Sequence, residues 1–206
     1  MKTKIWPLFN VIIVLESLVV MIGWIWGINR LTGVFNSEIN MKFATALTFL
    51  LSAIALPFIS DAIAGKKETA QVVLAFTTLL TFLIMVTLFV ASFFNIQTGI
   101  ENVFIQDVGS AKTLLPGMPA IPTMVAFIMF GIASIISLFK FEYARRIIVY
   151  LGGLVAFIGL VIVIGYVINM PALYFQLTAN TTPVALNSGI LLLLGLSLMN
   201  ITMTAA

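Results

Sequence analysis

One carboxylate, Glu16, lies ten residues after Trp6 inside an unbroken apolar run. At 1.5 Å per residue that is about 15 Å along a helix, near the middle of a bilayer's hydrocarbon core. Ionisable groups at such depth are rare, face the interior of a bundle and mark candidate functional sites. No Lys, Arg or His shares that level. The carboxyl is therefore expected to keep its proton and to bond a hydroxyl or carbonyl on another helix, with Ser52, Thr77, Thr78 and Thr81 as candidate partners. Two readings stand side by side. One is a ligand or proton switch; the other is a neutral interhelical hydrogen bond, favoured because nothing else polar clusters with Glu16. Glu16→Gln separates them, since unchanged behaviour across pH removes the switch.

The segment from Gln97 to Gly117 is the second place where chemistry could sit. Loops of this length without obvious structure are often functional. Ile100, Val103 and Phe104 fall at helical spacing, which suggests a turn or two lying on a membrane surface. Glu101 and Asp107 are candidates for meeting a cation or a partner's basic surface, although solvated edge charges explain them more simply. Met41, Met118 and Met170 offer three soft thioethers of the kind that bind Cu(I). Packing is the better reading, because Met fills irregular apolar gaps. Asn180-Thr-Thr182 is a weak glycosylation sequon close to a span. There is no Gly-rich phosphate loop, nucleophile elbow or paired carboxylate. The chain is expected to be no enzyme, to need no cofactor and to hold no metal.

These residues are embedded in a chain that is 62% hydrophobic and 8% charged, with a mean hydropathy of +1.20. A water-soluble domain of 206 residues has no core large enough to hide so much apolar surface. In lipid, backbone polar groups must be satisfied internally, which leaves helices or a closed barrel. Apolar runs of about 20 residues without strand alternation decide for helices. With no Cys and no His, disulfides, thiolate or imidazole metal sites and a phosphohistidine relay are excluded from this chain. A net charge of +3 is too small to suggest nucleic acid.

Six spans are expected at about 6–28, 42–60, 70–94, 122–140, 147–168 and 184–202. Pro57 shortens or kinks the second. The first resembles a signal peptide, but its apolar run is too long and lacks a small-residue cleavage site, so a retained helix is expected. Lys2, Lys4, Lys66, Lys67, Lys140, Arg145 and Arg146 place seven of ten basic residues on one side. The positive-inside rule then puts both termini and the two short connections in the cytoplasm, and the three longer loops outside. Trp6 at one boundary and Trp24 and Trp26 at the other fit aromatic anchoring.

A pattern also recurs. Three odd-numbered spans close on Asn, at Ile28-Asn29, Phe94-Asn95 and Ile168-Asn169. Asn suits a left-handed helix C-cap. Each following span carries a polar residue (Thr45, Thr123, Asn187) and, eight positions later, a small one (Ala53, Gly131, Gly195). Small residues let membrane helices approach closely, so packing is the favoured role. The expected fold is an all-α, polytopic membrane bundle of three repeated hairpins forming one domain over 1–206.

Three stretches carry a family likeness. Asn40-Met41 through Thr45-Ala-Leu-Thr-Phe-Leu-Leu-Ser-Ala-Ile-Ala resembles the helix starts of a six-helix membrane input region found at the N-terminus of some sensor histidine kinases. Gly99-Ile-Glu101-Asn102 through Leu115-Pro-Gly117-Met118-Pro-Ala-Ile-Pro-Thr123 resembles that family's central loop and fourth helix, and Gly165-Tyr-Val-Ile-Asn-Met-Pro171-Ala-Leu-Tyr174 its fifth-helix exit. The resemblance implies a multi-pass sensory module of the cell membrane. The sequence departs from the family in its third repeat, Pro183-Val-Ala-Leu-Asn187-Ser188, and carries no phosphoacceptor His or nucleotide-binding segment. Kinase activity is therefore not implied. The expected partners are the lipid bilayer and either a separate signalling protein or another membrane protein, with the oligomeric state open. An accessory or structural subunit of a larger membrane complex is the alternative, and a small transporter is a weaker one because Glu16 stands alone.

Overall fold

The computed structural model describes residues 3–33, 39–66, 68–100, 116–139, 142–176 and 181–204. Every regular element among them is helical: α1 (Trp6–Ile25), α2 (Asn29–Thr32), α3 (Phe43–Ile63), α4 (Glu68–Phe94), α5 (Ile121–Ser137), α6 (Ala144–Val167) and α7 (Leu191–Thr204). Two 3₁₀ turns join them, at Pro171–Tyr174 and at Leu186–Ile190, the latter leading directly into α7.

Five of these helical segments are long and apolar enough to cross a membrane, and α5 is apolar but shorter. A bundle dissolved in water would show a polar exterior. Here the outward residues of α1 include Leu8, Val11 and Leu15, those of α4 include Val72, Phe76 and Leu83, and α6 exposes Phe157. Helices apolar on all sides belong in lipid.

The helices form two tiers. α3, α5 and α7 touch one another in the centre, and each outer helix lies across two of them: α1 on α3 and α7, α4 on α3 and α5, α6 on α5 and α7. Burial follows this arrangement, with 61% of the α3 span buried against 22% of α1. Phe49 and Phe127 meet edge to face at 4.7 Å and tie α3 to α5.

α3 runs through Pro57 to Ile63, past the end expected near residue 60. Proline removes one backbone donor. The helix survives because neighbours pack on the face beside the proline, with Leu56 and Ile59 both fully buried. Interior hydroxyls are mostly satisfied within their own helices. Ser17, Thr48, Thr77, Ser134, Ser197 and Thr202 each donate to the carbonyl four residues back. That bond allows a hydroxyl to enter an apolar core without a partner on another helix.

Small residues set the closest helix contacts, as expected for membrane packing. On α6 and α7 the backbones touch: a Cβ on Gly195 would collide with the Ala156 nitrogen, and one on Gly159 with the Leu192 nitrogen. A Cβ on Gly131 would come within 2.9 Å of the Phe82 ring.

The exits of α1, α4 and α6 close with the same bonds. The N–H groups of Ile28, Ile96 and Met170 donate to the carbonyls of Gly23, Ala91 and Gly165. The residues just before them, Gly27, Asn95 and Asn169, have φ of 66, 57 and 55°. This is the left-handed helix termination in which two otherwise orphaned carbonyls find donors. The first exit corrects the expectation from sequence: Gly27, not Asn29, takes the left-handed position, and Asn29 begins α2. Glycine has no Cβ to clash there, so an Asn is not required.

At the first and third exits the match goes further. The Trp24 indole N–H donates to the Met41 carbonyl and the Tyr166 hydroxyl to that of Val184, both at 2.8 Å. The Met41 and Val184 N–H groups return bonds to the Thr32 and Tyr174 carbonyls, also at 2.8 Å. Leu31 and Leu173 sit where a Cβ on Gly23 or Gly165 would be.

Candidate functional site

α1 and the last span run antiparallel and are joined at two levels by asparagines. At the lower level, the Ile5 and Trp6 N–H groups lie at the start of α1, where no side chain of the preceding residues caps them. They donate to Asn200 Oδ1 at 3.0 and 3.2 Å, and Asn200 Nδ2 donates to the Thr3 carbonyl at 3.2 Å. The last helix thus caps the first.

The upper level contains Glu16. Its Oε1 accepts a hydrogen bond from Asn187 Nδ2 at 2.7 Å. Asn187 stands on the 3₁₀ turn that opens the last span and is 6% exposed; Glu16 is half-buried. The partners expected from sequence are not the ones found. Thr77 bonds the Val73 carbonyl, Ser52 Oγ and Thr78 Oγ1 accept and donate nothing, and α4 packs on α3 and α5 rather than on α1. A carboxyl on α1 reaches what α3, α7 and the turn leading into α7 present, and that turn presents an amide.

The amide is only half used. Asn187 Oδ1 is buried and has no hydrogen-bond partner. An amide oxygen accepts but cannot donate, so it needs a donor that a carboxylate does not have. A protonated Glu16 would supply one through its second oxygen, forming a two-bond acid–amide ring with the existing Nδ2–H···Oε1 contact. Asn187 is visible in the sequence only as a polar marker near a helix start. Its role as the carboxyl's partner is hidden because it is the second residue of its span, and only the burial of Val184 and Ala185 before it shows that this end lies inside the bundle.

The remaining candidates behave differently. Glu101 and Asp107 lie outside the described residues, as does Asn180. Met41 and Met118 are each 1% exposed within the core, whereas Met170 is exposed at the exit of α6, so the three do not share an environment. Among the described residues, no three acidic side chains gather to hold a metal ion.

Comparison with protein-family models, with characterised proteins and with solved structures finds no match for this chain.

Proposed function

We propose that this chain is a membrane-embedded signal-input module with no catalytic centre of its own, built as three helical hairpins with both termini in the cytoplasm. The observation that carries this reading is the Glu16–Asn187 bond. It joins the first span to the last across the seam that closes the bundle, and it leaves the Asn187 Oδ1 beside it without a partner. Such a contact gives the bundle two states, seam closed and seam loosened, which an input can bias. Three features support the hairpin scheme: the matched exits of α1, α4 and α6, the inner triangle of α3, α5 and α7, and the glycines that set the spacing of α4 against α5 and of α6 against α7. The charge distribution supports the orientation. The likeness to the six-helix input region of sensor kinases points the same way.

An accessory subunit is the second reading. It is favoured by the self-satisfied hydroxyls of the interior, which leave few polar groups free for signalling work. Purification from native membranes in mild detergent, followed by mass spectrometry, separates the two. Signal input requires a partner whose recovery changes with Glu16→Leu. A partner recovered at fixed stoichiometry whatever occupies position 16 indicates the subunit. A solitary protein contradicts both.

A further inference from the structure

The bond between Glu16 and Asn187 uses one carboxyl oxygen, Oε1, and the amide nitrogen. Asn187 Oδ1 shares a carbon with that nitrogen, so it lies beside the carboxyl. It is buried and unpartnered, on a residue only 6% exposed. Acceptors therefore gather at mid-span with no donor between them. We propose that this pair is a binding site for a lipophilic amine, which enters from the lipid side of α1 and is held as its ammonium between the Glu16 carboxylate and Asn187 Oδ1.

The elements around the carboxyl supply no cation. α1, residues 43–60 of α3, the turn Leu186–Ile190 and α7 contain no Lys or Arg, and Glu16 is the one charged residue type among them. Lys4, Arg30 and Lys42 stand at the ends of the spans. A bare carboxylate is costly in lipid, so the site takes a proton or a cation from outside the chain. A metal ion asks for about six oxygens, more than a carboxylate and one amide present. An ammonium asks for two or three acceptors, which they do present. Access is lateral. Ile12 and Val19, one turn to either side of Glu16 on the same face of α1, are each 40% exposed. The half-buried carboxyl thus borders the lipid, and an alkyl tail finds apolar surface along both residues. A neutral amine dissolves in the bilayer, takes the carboxyl proton on its nitrogen and becomes an ammonium that donates to Oε2 and Oδ1. No net charge is created in the hydrocarbon. The same proton otherwise closes the acid–amide ring, so the ring and the ammonium pair exclude each other.

The proposal names the input of the signal-input reading and rests on that reading for its biological role, while binding itself is measured on the chain alone. The full chain in phosphatidylcholine nanodiscs is titrated at neutral pH with dodecylamine, dodecyltrimethylammonium or dodecanol, and retained ligand is counted by native mass spectrometry. The wild type is expected to saturate with one dodecylamine at a concentration about tenfold below that needed for the trimethyl ion, which has the charge but no N–H. Tenfold is about the weight of one hydrogen bond to a charged group. Dodecanol is expected to partition without saturating. Glu16→Gln, which keeps the contact with Asn187 but has no charge, is expected to remove the saturable site, and Asn187→Leu to weaken it about tenfold. Equal retention of the amine and the trimethyl ion, or saturation unchanged in Glu16→Gln, overturns the proposal. An amine that fails to bind while partner recovery still changes with Glu16→Leu overturns the ligand and leaves signal input standing. A bound amine with partner recovery unmoved supports the site and removes signal input.

Discussion

Removing either member of the Glu16–Asn187 pair should destabilise the bundle more than removing both. In Glu16→Leu, both polar atoms of the Asn187 amide are left without partners at a position 6% exposed, with Oδ1 already unpartnered. Leaving a buried amide unpaired costs about 1–3 kcal/mol. Asn187→Leu similarly strands the carboxyl. The double variant, Glu16→Leu with Asn187→Leu, removes both polar groups and gains apolar contact, so it should recover part of the loss. Interhelical hydrogen bonds within membranes average about 0.6 kcal/mol and reach about 1.7, which sets the expected coupling energy. The partly lipid-exposed setting of Glu16 argues for the middle of that range. Glu16→Gln is the informative control. Its amide both accepts from Asn187 Nδ2 and donates to Oδ1, reproducing the protonated acid, and should leave stability unchanged or raised. The assay is reversible unfolding in bicelles by steric trapping, with the wild type, the two single Leu variants and the double variant forming a double-mutant cycle. A coupling indistinguishable from zero, or a Glu16→Gln variant as unstable as Glu16→Leu, would refute the reasoning.

Other outcomes follow from the packing and the helix ends. Gly195→Ala places a methyl against the Ala156 backbone and should cost about 1–3 kcal/mol, whereas Gly153→Ala meets nothing within 4 Å and should be silent in the same assay. Asn169→Gly should hold or raise stability and Asn169→Val should lower it by about 1–2 kcal/mol, because φ is 55° there; thermal unfolding in detergent reads both. Asn200→Ala frees the Ile5 and Trp6 N–H groups and should cost about 1 kcal/mol, seen as faster amide hydrogen exchange over residues 5–9 than in the wild type.

The sequence makes the helical class and the approximate spans readable because both follow from one-dimensional quantities. Apolar length decides whether a segment can span lipid, and backbone satisfaction decides that it does so as a helix. Pairwise contacts depend on how each helix is rotated and how deep it sits, and those are set by its neighbours. Glu16 stands out at once as an isolated carboxyl, yet its partner depends on α1 lying beside α7, the most distant helix in the chain. Thr78 matches Glu16 in depth but sits on α4, which packs on α3 and α5 rather than on α1. The recurring Asn at helix ends is legible in two of three cases. At the first, Gly27 performs the same conformational task two residues earlier, and residue identity alone hides the equivalence. Trp24 and Tyr166 share a bonding role that their differing chemistry conceals, since an indole N–H and a phenol O–H both serve as donors to a carbonyl on the incoming strand of chain. Pro57 reads as a break because local propensity disfavours it, and tertiary packing overrides that preference.

The claim beneath all of this is that the chain crosses a bilayer six times, with its short turns on one side and its long loops on the other. The sequence contains no cysteine, so each introduced one reports a single position. Lys66→Cys and Glu142→Cys mark the short turns; Gln97→Cys and Ala172→Cys mark the exits of α4 and α6, and all four positions are exposed. In intact cells, a membrane-impermeant maleimide should label positions 97 and 172 and reach 66 and 142 only after the membrane is opened. Labelling of positions 66 and 97 from the same side would contradict the account.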